Sequence, residues 1–201
     1  VYAALSHNFT IISGGPGTGK TFVTRVIKNI YSRLEKKLNG QEPVILCMAP
    51  TGKAASGMDE GRTIHSVLKP KINRPGFQYD RKNQIQADMV IIDEASMIDI
   101  MLLTRLFEAI PSKAHIVLVG DQHQLASVQA GSVFTDICSS KSMQAHIFLL
   151  SYNFRSGEAD GIHRLSQAVK TDNFNDVESF LISDKSADVL FINMDSLEDN
   201  N

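Results

Sequence analysis

The hydrophobic residues of this chain fall into short runs that turn-forming residues separate. The runs are rich in Val, Ile and Leu and show no alternation of polar and apolar positions, which is typical of strands covered on both faces. This pattern predicts five strands, at residues 9–12, 44–49, 89–92, 116–119 and 147–150.

Helical periodicity fills most of the stretches between these strands. It predicts two long helices, at 21–38 and 98–110, and the second of these ends before Pro111. The first helix carries one stripe of apolar side chains four positions apart, at Phe22, Val26, Ile30 and Leu34. The alternation of strands and helices predicts an α/β fold, a parallel sheet with helices on both faces that binds ligands at the carboxyl ends of its strands.

Residues 69–87 interrupt this alternation. The stretch is rich in Lys and Arg, and residues 77–79 and 84–86 flank a polar turn at 80–83, which predicts a small hairpin. Its cations either contact nucleic acid or belong to a solvated excursion, and we favour the second interpretation.

The segment after the first predicted strand fits the phosphate-loop pattern G-x-x-x-x-G-K-[ST]. Its glycines permit positive φ and bring backbone N–H groups close to an anion, and the following helix start adds unpaired donors. We predict that Lys20 reaches the β- and γ-phosphates of a nucleotide and that Thr21 ligates Mg²⁺. The alternative is a glycine-rich turn before an ordinary helix. The predicted phosphate-binding residues are Gly14, Gly15, Pro16, Gly17, Thr18, Gly19, Lys20 and Thr21.

Two carboxylates follow the predicted strand at 89–92, about seventy residues after the phosphate loop. In a parallel sheet they would lie beside that loop. Asp93 would then hold Mg²⁺, and Glu94 would orient the attacking water or accept its proton. The alternative is a pair of exposed acids that open a helix.

Polar residues also follow the two later strands. Gln124 would hydrogen-bond the γ-phosphate or the attacking water, and Arg155 would stabilise charge in the transition state. A helix cap at Asp121 and a salt-bridged surface role for Arg155 are the alternatives.

The turn after the second strand has groups that suit a nucleic-acid backbone. Pro50 and Thr51 begin it, and Lys53 adds an ammonium group, while Thr63 and His65 offer a hydroxyl and an imidazole further along. A plain turn with a helix cap at Thr51 and a structural role for His65 are the alternatives.

Composition adds a charge asymmetry and little else. The net charge is −2, yet the first 86 residues carry 13 Lys and Arg against 5 Asp and Glu, and the remainder carries 7 against 17. A basic first half fits an anionic ligand or nucleic acid, and solvated helix faces explain it equally well. Cys47 and Cys138 lack metal-binding spacing and the histidines are scattered. We therefore predict reduced core thiols, no zinc site, no membrane span and a cytoplasmic protein.

In their order along the chain, these motifs resemble those of superfamily 1 helicases. The residues within these motifs are most similar to those of the RecD helicases, the alpha subunits of bacterial exodeoxyribonuclease V. The resemblance runs from about residue 10 to 172, through segments 13–21, 49–55, 63–65, 93–97, 120–134 and 150–156.

The resemblance implies a RecA-like motor that uses ATP and Mg²⁺ to move 5′→3′ on single-stranded DNA. It also implies beta and gamma subunits as partners in an exonuclease complex for double-strand break repair and recombination. The residues it assigns to catalysis are Lys20, Glu94, Gln124 and Arg155. Thr21 and Asp93 fall at the metal, and Pro50, Thr51 and His65 face DNA.

The chain departs from the helicase pattern in lacking motifs V and VI and the upstream glutamine that contacts adenine. Residues 1–150 are therefore expected to form a first motor domain, and 151–201 to open a second. The second would contain helices near 161–170 and 173–181 and a strand at 189–192. Such a piece is expected to bind nucleotide weakly and hydrolyse it poorly. Another RecA-like or clamp-loader-type ATPase, or a nucleotide-gated binding module, remains an alternative.

Overall fold

Six parallel strands form one sheet, in the spatial order β3-β2-β4-β5-β1-β6. The strands are β1 (Phe9–Gly14), β2 (Ile45–Ala49), β3 (Arg62–Thr63), β4 (Met89–Ile92), β5 (His115–Gly120) and β6 (Ile147–Leu150). The five predicted strands are confirmed, with ends that shift by at most two residues. β3 was missed because its two residues, which pair with Met48 and Ala49, are too few to leave a periodic signal.

The computed structural model describes residues 1–124 and 133–154 and a few isolated helical positions, Gly161, Leu165, Ala168, Val169 and Val177. The chain divides into two compact units, Val1–Tyr152 and Asn153–Asn201. In the second unit, the predicted helix at 161–170 is described only at isolated positions, all helical. Most of the predicted helix at 173–181, and all of the predicted strand at 189–192, lie outside the described residues.

Helices cover both faces of the sheet. They are α1 (Tyr2–Ser6), α2 (Lys20–Asn39), α3 (Gly52–Ser56), α4 (Ile64–Leu68), α5 (Ile100–Ala109) and α6 (Val133–Ser139). Alternate residues of one strand enter two separate cores: Val90 and Ile92 pack with α4, α5 and α6, whereas Ile91 packs with α1 and α2. The predicted α/β fold, with helices on both faces of a parallel sheet, is confirmed.

The apolar stripe that we predicted for α2 does not face the core. The buried positions are Thr24, Ile27 and Tyr31, whereas Phe22 is 71% and Leu34 43% exposed. The predicted stripe has spacings of four residues and the buried set has spacings of three and four; both are helical, so periodicity alone does not choose between them. Because α2 starts directly at the phosphate loop, the geometry of that loop sets which ladder meets the sheet.

The predicted hairpin forms only in part. Asp80 and Asn83 make an antiparallel bridge around a tight turn, and the Asp80 carboxylate accepts the backbone N–H groups of Lys82 and Asn83. The flanking residues have other partners: the N–H of Tyr79 donates to the carbonyl of Leu68, and that of Ile85 to the carbonyl of Ala109. The excursion is thus fastened to α4 and α5 instead of standing as a free hairpin.

Both cysteines are buried and free, as predicted for core thiols. Burial raises the pKa of the Cys47 thiol, and it raises the pKa of Cys138 to about 11. Within the described part of the chain, no helix combines the length and the hydropathy that crossing a bilayer requires.

Gly120, at the end of β5, lies directly against the ring of Phe134. A Cβ at this position would stand 2.9 Å from the Phe134 ring. We expect Gly120→Ala to displace the ring and destabilise the chain by about 1–3 kcal/mol, as overpacking does. The measurement is the midpoint of urea unfolding followed by circular dichroism.

The matched control is Gly52→Ala, because a Cβ at that helical glycine would meet no atom within 4 Å. This variant should leave the midpoint unchanged or raise it slightly, since Ala has the higher helix propensity. Equal midpoints for the two variants would contradict the predicted clash.

Candidate functional site

The carboxyl ends of three adjacent strands meet at one edge of the sheet. β5 lies between β4 and β1, with Leu118 opposite Ile92 and Gly120 opposite Ser13. This register brings together the phosphate loop after β1, the acidic pair after β4 and the polar turn after β5. Lys20, Thr21, Asp93 and Gln124 therefore share an edge, whereas Arg155 lies outside the described residues.

Backbone geometry that favours glycine shapes the phosphate loop. Gly17 and Gly19 have φ of 79° and 85°, in the left-handed region that disfavours other side chains. At Gly14 a Cβ would stand 2.6 Å from the Thr18 hydroxyl oxygen and 2.9 Å from the carbonyl oxygen of Leu150. The Thr18 hydroxyl donates to the carbonyl of Gly15 at 2.8 Å, which closes the loop on itself.

Lys20 is folded onto the loop that it would serve. Its ammonium donates to the carbonyl oxygens of Gly14 and Gly15 at 2.7 and 2.9 Å. α2 begins at Lys20 behind a left-handed Gly19, and no described side chain caps it. The start of this 20-residue helix thus offers unpaired N–H groups, and the Lys20 ammonium lies beside them; together they suit a phosphate chain.

The acidic pair after β4 occupies an unusual backbone conformation. Glu94 has φ of 52°, in the left-handed region, and its N–H donates to Oδ1 of Asp93 at 2.9 Å. Such a conformation costs on the order of 1–3 kcal/mol and is concentrated at functional sites. Glu94 precedes the 3₁₀ turn Ala95–Met97 without a capping hydrogen bond from its side chain. The pair does not cap α5, which begins at Ile100, two residues later than predicted, and is capped by Asp99.

Four charges interact around Glu94. Burial raises the pKa of the Glu94 carboxyl, the negative charges of Asp93 and Asp121 raise it further, and the Lys20 ammonium partly offsets the rise. Charges affect one another in this way only at short range. A carboxyl with a raised pKa beside a phosphate loop has the chemistry of a general base.

The turn after β5 is tied to both neighbouring strands. The backbone N–H of Gln122 donates to the buried Ser13 hydroxyl at 3.2 Å, and the buried Ser96 hydroxyl donates to Oε1 of Gln124 at 2.9 Å. Asp121 accepts the N–H of His123 at 2.9 Å, so it stabilises this turn and does not cap a helix. Ser13 and Ser96 lay within recognised motifs, but no signal in the sequence indicated their partners.

A second set of predicted residues lies after β2 and β3. The hydroxyls of Thr51 and Thr63 accept backbone N–H groups at the starts of α3 and α4, so the predicted cap at Thr51 is present. A hydroxyl that accepts an N–H can still donate its own hydrogen to a phosphate. Lys53 and His65 are exposed, Pro50 is half-buried, and the His65 ring meets Phe77 edge-on at 5.7 Å.

The oxygen donors at the edge of the sheet suit a hard cation. Thr21 offers a hydroxyl and Asp93 a half-buried carboxylate, which are ligand types that Mg²⁺ prefers alongside phosphate oxygens and water. Within residues 1–124, 133–154 and the isolated described positions, no group of three or more His, Cys, Asp or Glu side chains is placed to hold a metal alone.

Comparison with known proteins agrees with this arrangement. Residues 1–130 match the AAA domain family. The chain is 32% identical over 190 residues to the RecBCD enzyme subunit RecD of Mycolicibacterium smegmatis, covering 84% of this chain and 34% of that protein. It is 37% identical over 128 residues to the ATP-dependent RecD2 DNA helicase of Deinococcus radiodurans, covering 62% of this chain and 17% of that protein.

The fold also resembles a crystal structure of Bacteroides Pif1 bound to single-stranded DNA. The TM-score is 0.54 at 21% identity, over 87% of this chain and 46% of that chain. This chain spans about a third, or less, of the length of the RecD and RecD2 relatives described above. The chain therefore belongs to the AAA domain family; it has a RecA-like P-loop fold, and its sequence is similar to those of RecD and RecD2 proteins.

Proposed function

We propose that this chain is the ATP-hydrolysing part of a 5′→3′ DNA helicase that translocates on single-stranded DNA. The observation that carries the proposal is that Lys20, Glu94 and Gln124 follow or adjoin the carboxyl ends of β1, β4 and β5, which meet at one edge of the sheet. One site there holds a phosphate-binding cation, a candidate base and a polar amide, which is the minimum that phosphoryl transfer to water requires.

The phosphate loop binds the triphosphate of ATP. Backbone N–H groups of the loop at residues 14–21, to which Pro16 contributes none, donate to the β- and γ-phosphates, and the Lys20 ammonium exchanges its two carbonyl partners for phosphate oxygens. Thr21 and Asp93 would hold Mg²⁺, which would neutralise charge on the phosphates. Glu94 orients the attacking water and accepts its proton.

Two further residues stabilise the γ-phosphate. Gln124 donates to it through the side-chain amide, from a turn that is anchored to β1 and β4. Arg155 supplies a second cation in the transition state; this role rests on the resemblance of its motif alone. A motor of this class gains most of its rate from such fixed charges and donors.

Single-stranded DNA binds at the ends of β2 and β3. The hydroxyls of Thr51 and Thr63 and the ammonium of Lys53 contact backbone phosphates, Pro50 shapes the turn, and the His65 ring stacks on a base. β2 is hydrogen-bonded to β4, which leads to Asp93 and Glu94, so the two sites are one strand apart. Nucleotide-dependent shifts at the acidic pair can therefore reach the DNA contacts.

We also infer the wider setting from the relatives. RecD of Mycolicibacterium smegmatis is a subunit of the RecBCD enzyme. On that basis the full-length protein joins the beta and gamma subunits of exodeoxyribonuclease V in the cytoplasm and acts in double-strand break repair and recombination. The exonuclease activity belongs to that complex.

Removing the phosphate-loop cation is the decisive test. We expect Lys20→Ala in the full-length protein to lower ATP hydrolysis stimulated by single-stranded DNA by about 10²–10³-fold, as the loss of a key electrostatic group does. The measurement is the steady-state ATPase rate with and without an oligonucleotide.

Lys36→Ala, which removes an exposed ion pair with Glu42, is the control and should retain the rate. Wild-type hydrolysis that DNA does not stimulate would refute the helicase assignment and favour another RecA-like or clamp-loader-type ATPase.

Replacing His65 separates DNA binding from hydrolysis. We expect His65→Ala to weaken binding of a fluorescent oligothymidylate by about 1–3 kcal/mol, the usual contribution of one stacked base. ATPase activity without DNA should not change, because His65 lies in α4, after β3, and not at the phosphate loop. The control is His7→Ala, whose ring contacts His146 elsewhere in the fold. Oligonucleotide affinities that are equal for both variants would place the DNA elsewhere.

A further inference from the structure

We propose that Ser96 is a positioning residue that fixes which way the Gln124 amide faces, so that its NH₂ group points at the terminal phosphate of the nucleotide. The inference rests on the proposed function, because it gives a direction to a contact that this function assigns to Gln124. Its basis is the hydrogen bond from the Ser96 hydroxyl to Oε1 of Gln124, 2.9 Å long and formed across 28 positions of sequence.

Ser96 is held rigidly on the side of β4. It is 7% exposed and lies in a 3₁₀ turn, Ala95–Met97, whose neighbours Ala95 and Ile98 are buried in the core. The N–H of Met97 donates to the carbonyl of Glu94 at 3.0 Å, so the turn that carries Ser96 also begins at the candidate base. The hydroxyl therefore has a fixed position relative to Glu94.

Gln124 reaches Ser96 from a turn whose backbone is also fixed. Its N–H donates to the carbonyl of Asp121 at 3.2 Å, and the preceding Gln122 is hydrogen-bonded to Ser13 at the end of β1. The side chain of Gln124 itself is exposed. Without a partner, an exposed amide on a fixed backbone can present either its oxygen or its nitrogen to a ligand.

The chemistry of the two ends of the amide decides what the hydrogen bond does. Oε1 only accepts hydrogen bonds and Nε2 only donates them, and the two atoms point in different directions. When the Ser96 hydroxyl donates to Oε1, the NH₂ group is left to donate to a ligand. The hydroxyl could also accept from Nε2, but Oε1 would then face the anionic phosphate, which repels it. Ser96 and the phosphate therefore favour the same orientation of the amide.

This arrangement predicts a defect that appears only when a γ-phosphate is present. We expect Ser96→Ala in the full-length protein to lower the kcat of DNA-stimulated ATP hydrolysis by about tenfold, the scale on which a group that orients a reacting side chain usually acts. The affinity for ADP·AlF₄⁻, which mimics the transferring phosphoryl group, should fall by a similar factor. The affinity for ADP, which lacks that group, should stay unchanged.

A double-substitution cycle tests whether Ser96 acts through Gln124. In a Gln124→Ala background, Ser96→Ala should cause no further loss of kcat, because no amide remains to be oriented. The matched control is Ser32→Ala. This substitution removes from α2 a hydroxyl that donates to the carboxylate of Glu42. Thermal unfolding of each variant shows whether the turn remains folded.

The possible results distinguish a wrong role for Ser96 from a wrong assignment of the function. An equal fall in affinity for ADP and for ADP·AlF₄⁻, or a further loss in the Gln124→Ala background, would mean that Ser96 has only a structural role. Full activity of Ser96→Ala beside an impaired Gln124→Ala would overturn this inference and leave the proposed function intact. Full activity of Gln124→Ala would overturn it as well, and a Lys20→Ala variant that still hydrolyses ATP would overturn the proposed function itself.

Discussion

Parallel hydrogen bonding between β1, β5 and β4 is the constraint on which the rest of the structure depends. Parallel strands end at the same edge of a sheet, so any polar residue that follows one of them is brought to that edge. The strands are almost completely buried, with Ile11, Ile91 and Val117 at 0–1% exposure. Their position is therefore set by two cores at once, and a shift at the edge would disturb both.

The polar groups at this edge contribute little to the stability of the fold, and some of them lower it. Burial and the negative charges of Asp93 and Asp121 raise the pKa of the Glu94 carboxyl, and the Lys20 ammonium offsets the rise only in part. Glu94 is also held in a left-handed conformation that a glycine would adopt more readily. A bound Mg²⁺ would offset the negative charge of these carboxylates, as expected of a site that is organised for a ligand before the ligand binds.

Single hydrogen bonds of serine side chains link the segments that follow β1, β4 and β5. Ser13 joins the end of β1 to the turn after β5, and Ser96 joins that turn to the segment after β4. The excursion at residues 69–87 behaves differently, because its backbone is fastened to α4 and α5 and its cations remain at the surface. Lys69 nevertheless lies over the ring of Tyr79 at 5.4 Å, so part of this basic surface is ordered by the protein itself.

The sequence by itself determined five of the six described strands, the α/β class and the residues of the phosphate loop, because buried parallel strands and glycine-rich loops leave strong local patterns. It indicated that Lys20, Asp93 and Gln124 belong to one edge, since all three follow such strands. Only the tertiary structure decided that β5 lies between β1 and β4, that α2 buries Ile27 instead of the stripe beginning at Phe22, and that Ser96 meets Gln124. These features depend on distances between residues remote in the chain, and hydrophobic periodicity, which reports only whether a position is buried, carries no information about which distant residue will lie beside it.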